Sequence, residues 1–303
     1  MASNPVGGPN AVFPQTPTSR RVWQAHALLL LTAAIWGFGF VAQRYAMAHV
    51  GPFTFNAARF GLGATMLWLW QRGRAPTAAR RAGLALGALL FIAASLQQAG
   101  LVFTTAGKAG FITGLYVVLV PLLAHLRGQR QGPTVWLGAG LAVAGLYLLS
   151  EPRGWRLNPG DGLVLLSAFF WALHVLAIDH WSPRHDGLSL AMYQFALVAL
   201  LSGLVGGLGE SPRAGQLIAA GPAILYGGLV SVGLGYTLQV LAQRHAAAGP
   251  AAIILSLEAP FALLGGVLLL GEHLTLRGLA GAFLMLLGMI LAQKSAAEAQ
   301  KFH

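Results

Sequence analysis

Glu258 is a carboxylate inside the otherwise uncharged stretch Ala247 to Leu270, and Pro260 follows two residues later. At bilayer depth a carboxylate costs roughly 2.5–3.5 kcal/mol on insertion scales, so its presence asks for a reason. It could bind and release a proton, or act as counter-charge to a substrate ammonium. It could equally be a protonated, hydrogen-bonded packing residue. Ser256 and Glu258 are two residues apart, roughly 200° around a helix, so they cannot both face one cavity.

Two tryptophans raise a similar question. Trp23, Trp68, Trp70, Trp136, Trp155 and Trp181 sit near the ends of apolar runs, where an indole can meet the headgroup layer. Trp36 and Trp171 fall in the middle of theirs. They either fill space beside small residues or offer an aromatic face to a solute in a central cavity. Gln43 shares a helix face with Trp36, and His174 with Trp171. A midmembrane histidine can carry a proton or hold a carboxylate, or it can be a neutral imidazole bonded to a neighbour. Gln97, Gln98, Thr113, Tyr116, Tyr236 and Gln239 are uncharged hydrogen-bonding groups. They serve as interhelical glue worth roughly 0.6–2 kcal/mol each, or as the lining of a site for a polar metabolite.

Helix weak points accompany them. Gly107, Gly110 and Gly114 with Pro121 in one run, and Gly249 and Pro250 with Pro260 in another, mark weak points in two equivalent helices. A proline inside a helix frees a carbonyl and permits a kink, so these residues read as gating elements; close packing explains the glycines equally well. Arg59 lies early in its run and reads as structural, snorkelling outward or pairing with helix-end carbonyls. Glu272, just before Thr275, reads as helix-start chemistry.

Several chemistries find no support. The chain has no cysteine, no G-x-x-x-x-G-K-[ST], no H-E-x-x-H and no clustered metal-ligand spacing. It therefore calls for no metal or cofactor, and reads as a non-enzyme that does not itself drive pumping with ATP. The formal net charge is +11, yet the basic residues lie in short gaps between apolar runs, as in membrane proteins, which sets nucleic acid aside as a partner.

The elements that must position these residues follow from hydropathy. The chain has 303 residues, 56% hydrophobic and 9% charged, with mean hydropathy +0.67. Soluble domains carry about 25% charged residues, so this composition cannot cover a water-exposed globule. Apolar runs bounded by charge or Gly/Pro clusters give ten spans: 26–48, 53–71, 82–103, 107–127, 133–150, 160–180, 187–208, 217–240, 246–270 and 275–293. The expected fold is an all-α polytopic membrane protein in the lipid bilayer. Residues 1–25 read as a disordered cytoplasmic tail and 295–303 as a second tail. A cytoplasmic N-terminus leaves twelve lysines and arginines in inner segments against five in outer ones, so both termini are expected in the cytoplasm.

A faint internal repeat divides the chain. A shift of 135 residues lays Trp36 on Trp171 and Arg59 on Gln194, and a shift of 139 lays Gln97 on Tyr236, Gly110 on Gly249 and Pro121 on Pro260. The expected units are two five-helix repeats, 26–150 and 151–294. Because five is odd, the second copy must be inverted, an architecture that puts binding sites at the midplane between repeats.

The pattern Ser256-Leu257-Glu258, Phe261-Ala262, Gly266, Leu270-Gly271-Glu272, Gly281 and Gly288 resembles the closing hairpin of the EamA-like transporters, the ten-helix branch of the drug/metabolite transporter superfamily. In many members proline directly follows the glutamate; here Ala259 intervenes. The resemblance extends more weakly over roughly Ala27 to Ala292. It implies a secondary exporter of amino acids or related small metabolites in the bacterial inner membrane, with a broad drug or cation exporter as the alternative and protons as a candidate coupling ion. An intramembrane enzyme or a structural membrane subunit are the rival classes. A sugar-phosphate or nucleotide-sugar carrier would need basic residues in the cavity, and the late spans carry almost none.

Overall fold

The computed structural model describes residues 19–104, 106–149, 159–270 and 275–299. The proline-rich residues 1–18, Trp155 and Glu272 lie outside them. Every element described is helical. The first half holds α1 (Ser19–Met47), α2 (Pro52–Trp70), α3 (Arg80–Phe103), α4 (Ala106–Gly114), α5 (Tyr116–Leu126) and α6 (Pro133–Leu149). The second holds α7 (Pro159–Trp181), α8 (Gly187–Gly209), α9 (Ala214–Leu225), a π-helical segment (Tyr226–Tyr236), α10 (Thr237–Ala242), α11 (Ala248–Leu255), α12 (Glu258–Leu270) and α13 (Leu276–Ala299).

Seven stretches, against the ten expected, are long and apolar enough to cross a membrane: Arg20–Met47, Thr77–Phe103, Ala109–Leu126, Pro159–Arg184, Gly187–Gly209, Ala214–Ala242 and Ala248–Leu269. Pro133–Leu149 and Leu276–Ala292 are apolar but shorter. α2 has 19 residues and falls outside both groups because Asn56 and Arg59 interrupt it. Leu208, Leu276, Ile218 and Trp70 are more than three-quarters exposed, a surface suited to lipid rather than water.

Four expected boundaries need correction. The tail expected to reach residue 25 is already helical from Ser19, and the tail expected from 295 is helical to Ala299. Polar residues at a span end do not stop a helix whose own backbone bonds are satisfied. The spans expected at 107–127 and 246–270 are each broken, at Leu115 and at Ser256–Leu257. Pro260 cannot donate to the Ser256 carbonyl, which accepts instead from the Ala259 N–H three residues on, at 3.2 Å.

Helix pairs bring the two halves together. α6 and α13 approach backbone to backbone: a Cβ at Gly138 would lie 2.7 Å from the Gly288 carbonyl, and one at Gly145 would lie 2.5 Å from that of Gly281. α2 and α8 run antiparallel and are tied at both ends. Glu210, just beyond α8, accepts from the N–H groups of Phe53 (3.0 Å) and Thr54 (2.7 Å) at the start of α2. Gln71, just beyond α2, places its side-chain oxygen 2.8 Å from the Ser189 hydroxyl in the first turn of α8. α1 is sewn to the π segment: Trp36 Nε1 donates to the Ser231 carbonyl (3.3 Å), Thr32 to that of Gly235 (3.3 Å), and the Tyr226 hydroxyl to that of Ile35 (2.7 Å).

Candidate functional site

Among the described residues a central cavity lies between the two halves of the chain. α1 gives it Trp36, Phe40 and Gln43; α2, Arg59; α3, Gln97; α4 and α5, Thr113 and Tyr116. From the second half, α7 gives Trp171 and Val175; the π segment and α10, Ser231, Tyr236 and Gln239; and α11 and α12, Leu255 and Glu258. The space leaves about 40 Å³ open to the centres of water molecules. A single water needs roughly 10–15 Å³ on that measure, so this shape takes a few waters or a small polar group.

Aromatic rings fix its walls. Tyr236 stacks on Trp171, with centroids 6.0 Å apart and planes at 18°, and touches Trp36 at 4.5 Å. Phe60 and Phe195 back it at 5.9 and 6.0 Å. Each tryptophan is held at its indole N–H, Trp171 by the side-chain oxygen of Gln97 at 2.7 Å and Trp36 by the π segment. Gly235 seats Trp36, because a Cβ there would lie 2.8 Å from the indole nitrogen.

Between these walls several polar atoms lack a partner. The side-chain oxygens of Gln43, Thr113, Tyr116 and Gln239 are buried without a hydrogen bond. Tyr116 and Glu258 begin the second halves of the two broken helices, so each break delivers a polar side chain to the cavity. The Tyr116 hydroxyl approaches the Glu258 carboxyl without closing a well-shaped hydrogen bond. Groups left unpaired in a low-dielectric space are costly, and a polar solute is what relieves them.

Of the residues singled out in the sequence, Trp36, Gln43, Gln97, Tyr116, Trp171, Tyr236 and Glu258 meet at this cavity. Two do not. His174 is fully buried behind Trp171, its Nε2 2.9 Å from the Gln194 side-chain oxygen. Gln98 turns away and donates to the Met47 sulfur at 3.6 Å. Helical spacing put both near the right face, and packing turned them into bonds between helices. Among the candidate gating residues, Gly114 packs on Leu146 and Gly249 on Gln131 and Val135, while a Cβ at Gly110 would meet nothing. Pro121 stands inside α5 and Pro260 in the first turn of α12. Pro250 lies in the first turn of α11, where its missing N–H leaves no helical bond unmade.

Arg59 is the main residue that sequence reasoning misplaced. It neither snorkels nor reaches a helix end; it is 3% exposed and lines the cavity. Its Nε donates to Asn56 at 3.0 Å, and its guanidinium carbon lies 5.0 Å from the Phe55 ring centre and 4.9 Å from that of Phe60. The signal was present in the Asn56-x-x-Arg59 spacing, which places a hydrogen-bonding partner on the same helix face. Phe40, Val175, Ser231 and Leu255 also line the space and carried no sequence signal.

Comparison with known proteins accords with this layout. The EamA-like transporter family matches twice in tandem, over residues 23–151 and 158–293. An uncharacterized transporter of Archaeoglobus fulgidus is 32% identical over 264 residues, which cover 87% of this chain and 83% of that one. A probable amino-acid metabolite efflux pump of Salmonella typhimurium is 29% identical over 87% of this chain and 93% of its own length. A crystal structure 19% identical in sequence superposes with a TM-score of 0.76, covering 91% of this chain and 99% of the other, and so shares the fold. The chain belongs to the EamA-like transporter family.

Proposed function

We propose that this EamA-like protein is a secondary transporter that exports amino acids or related small metabolites across the bacterial inner membrane by alternating access. In this reading ten helices form two inverted five-helix repeats, residues 26–150 and 151–294, around the central cavity. The observation that carries it is the composition of that cavity: both halves of a tandemly duplicated chain contribute walls, and each contributes one broken helix. The antiparallel pairing of α2 with α8 supports the inversion. Positive charge clusters at one end of the bundle. Arg21 and Arg244 both act on His245, whose pKa lies below its ordinary value, first through burial and then through these two cations. A cytoplasmic assignment of that end follows the positive-inside rule and places both termini inside.

A broad drug or cation exporter is the second reading, favoured by Glu258 beside aromatic faces, a pairing that suits a lone cation. The test is counterflow in proteoliposomes made with this chain alone. Saturable exchange of labelled amino acid is the expected result. Exchange of lipophilic cations in its place supports the second reading. Absence of any flux from folded protein contradicts both and returns the chain to the structural-subunit or enzyme classes.

A further inference from the structure

The cavity holds one basic and one acidic side chain, and they do not satisfy each other. Arg59 enters from α2 and Glu258 from the first turn of α12. Among the described residues no ion pair joins them; the Arg59 bond goes sideways to Asn56. Tyr236 lines the cavity with both, and its ring lies 5.9 Å from that of Phe60, the ring against which the Arg59 guanidinium packs. A buried guanidinium lacking a counter-charge costs several kcal/mol, and a buried carboxyl without one holds its proton until a cation arrives. The rings of Phe55 and Phe60 compensate Arg59 only in part.

Resting on the transport reading above, we propose that Arg59 and Glu258 are the two poles of the substrate site and select a zwitterion. The Arg59 fork takes the carboxylate of an α-amino-acid-like solute, and Glu258 takes its ammonium. The closed cavity takes only a few waters, so the solute is seated in the opened state that transport requires, with Tyr236, Trp36 and Trp171 as its aromatic walls. Such a solute is neutral overall, yet it answers both buried charges at once. A monoamine leaves Arg59 unanswered, and a carboxylic acid leaves Glu258 unanswered. Arg59 thereby becomes a specificity-determining residue rather than a structural one.

The test is a binding series on the purified full-length protein in detergent, read by calorimetry. The probes are phenylalanine, phenylalaninamide, phenethylamine and 3-phenylpropionate, which keep the ring and remove one pole at a time. The expected result is that each single-pole probe binds wild type about tenfold or more weakly than phenylalanine, one charge-assisted contact being lost. Arg59→Gln should erase the preference for phenylalanine over phenylalaninamide while keeping amine binding. Glu258→Gln should erase the preference for phenylalanine over 3-phenylpropionate. If phenethylamine binds wild type as tightly as phenylalanine, the two-pole site is overturned, while counterflow of either solute still sustains the transport reading. A folded Arg59→Gln variant that keeps full discrimination also overturns it. Should either variant fail to fold, the wild-type probe series decides alone.

Discussion

At the scale of single residues the cavity stands on its two indoles and its one carboxylate. Trp36 and Trp171 are each fixed by one hydrogen bond and share Tyr236 as a neighbour. Trp36→Ala or Trp171→Ala is expected to lower amino-acid counterflow about tenfold or more with expression near wild type, and phenylalanine should substitute better than alanine because the ring face persists. Unchanged flux in both alanine variants reduces the tryptophans to packing. For Glu258 two roles remain separable. Glu258→Gln keeps the size and most hydrogen bonds but cannot ionise. If the carboxylate carries the coupling proton, glutamine abolishes uphill movement driven by a pH gradient and leaves downhill exchange. Because among the described residues no second carboxylate lines the cavity to hand on a proton, the expected outcome is that both fluxes change together. Loss of the gradient-driven flux alone contradicts this.

At the scale of elements, what the sequence disclosed depended on whether the cause was local. Pro260 is local, and it marks the break between α11 and α12 through a bond that cannot form. Trp36, Trp171, Gln97 and Tyr236 were legible because the repeat lays them on one another, and the fold gathers them around one cavity. Arg59 was not, since distance from a span end says nothing about which way a side chain faces. That direction is set by how α2 packs on α8 and the π segment. The π turn itself, from Tyr226 to Tyr236, was equally hidden: glycines at 227, 228, 233 and 235 permit it, but the carbonyls it offers to α1 exist only once both elements pack. The ends of the α2–α8 pair show the repeat with its chemistry changed. A shift of 139 lays Gln71 on Glu210, so one end is tied by a neutral amide and the other by a carboxylate capping two backbone N–H groups. Glu210→Ala is expected to lower the thermal midpoint, at a cost of about 0.5–2 kcal/mol, with Glu210→Gln intermediate because it keeps one acceptor oxygen. Equal midpoints for all three proteins contradict the cap.

At the scale of the whole molecule, two related halves close on a narrow polar space whose walls are aromatic and whose lining includes one guanidinium and one carboxyl. The apolar exterior and the glycine contacts between α6 and α13 suit a bundle that keeps its packing in lipid. Reporter fusions after Gln71 and after Arg130 should read cytoplasmic, in keeping with the lysine and arginine bias; an external reading for Gln71 inverts the orientation. Alternating access makes a stronger demand, that one buried position be reached from each side in turn. The chain contains no cysteine, so a single introduced thiol reports without background. Ser231 lines the cavity, and its carbonyl, not its hydroxyl, holds Trp36. The direct measurement is labelling of Ser231→Cys by a membrane-impermeant maleimide in right-side-out and in inverted vesicles, with and without amino acid. Labelling from both sides, slowed on each by the transported amino acid, is the result predicted; labelling from one side only, or from neither in a folded protein, contradicts it.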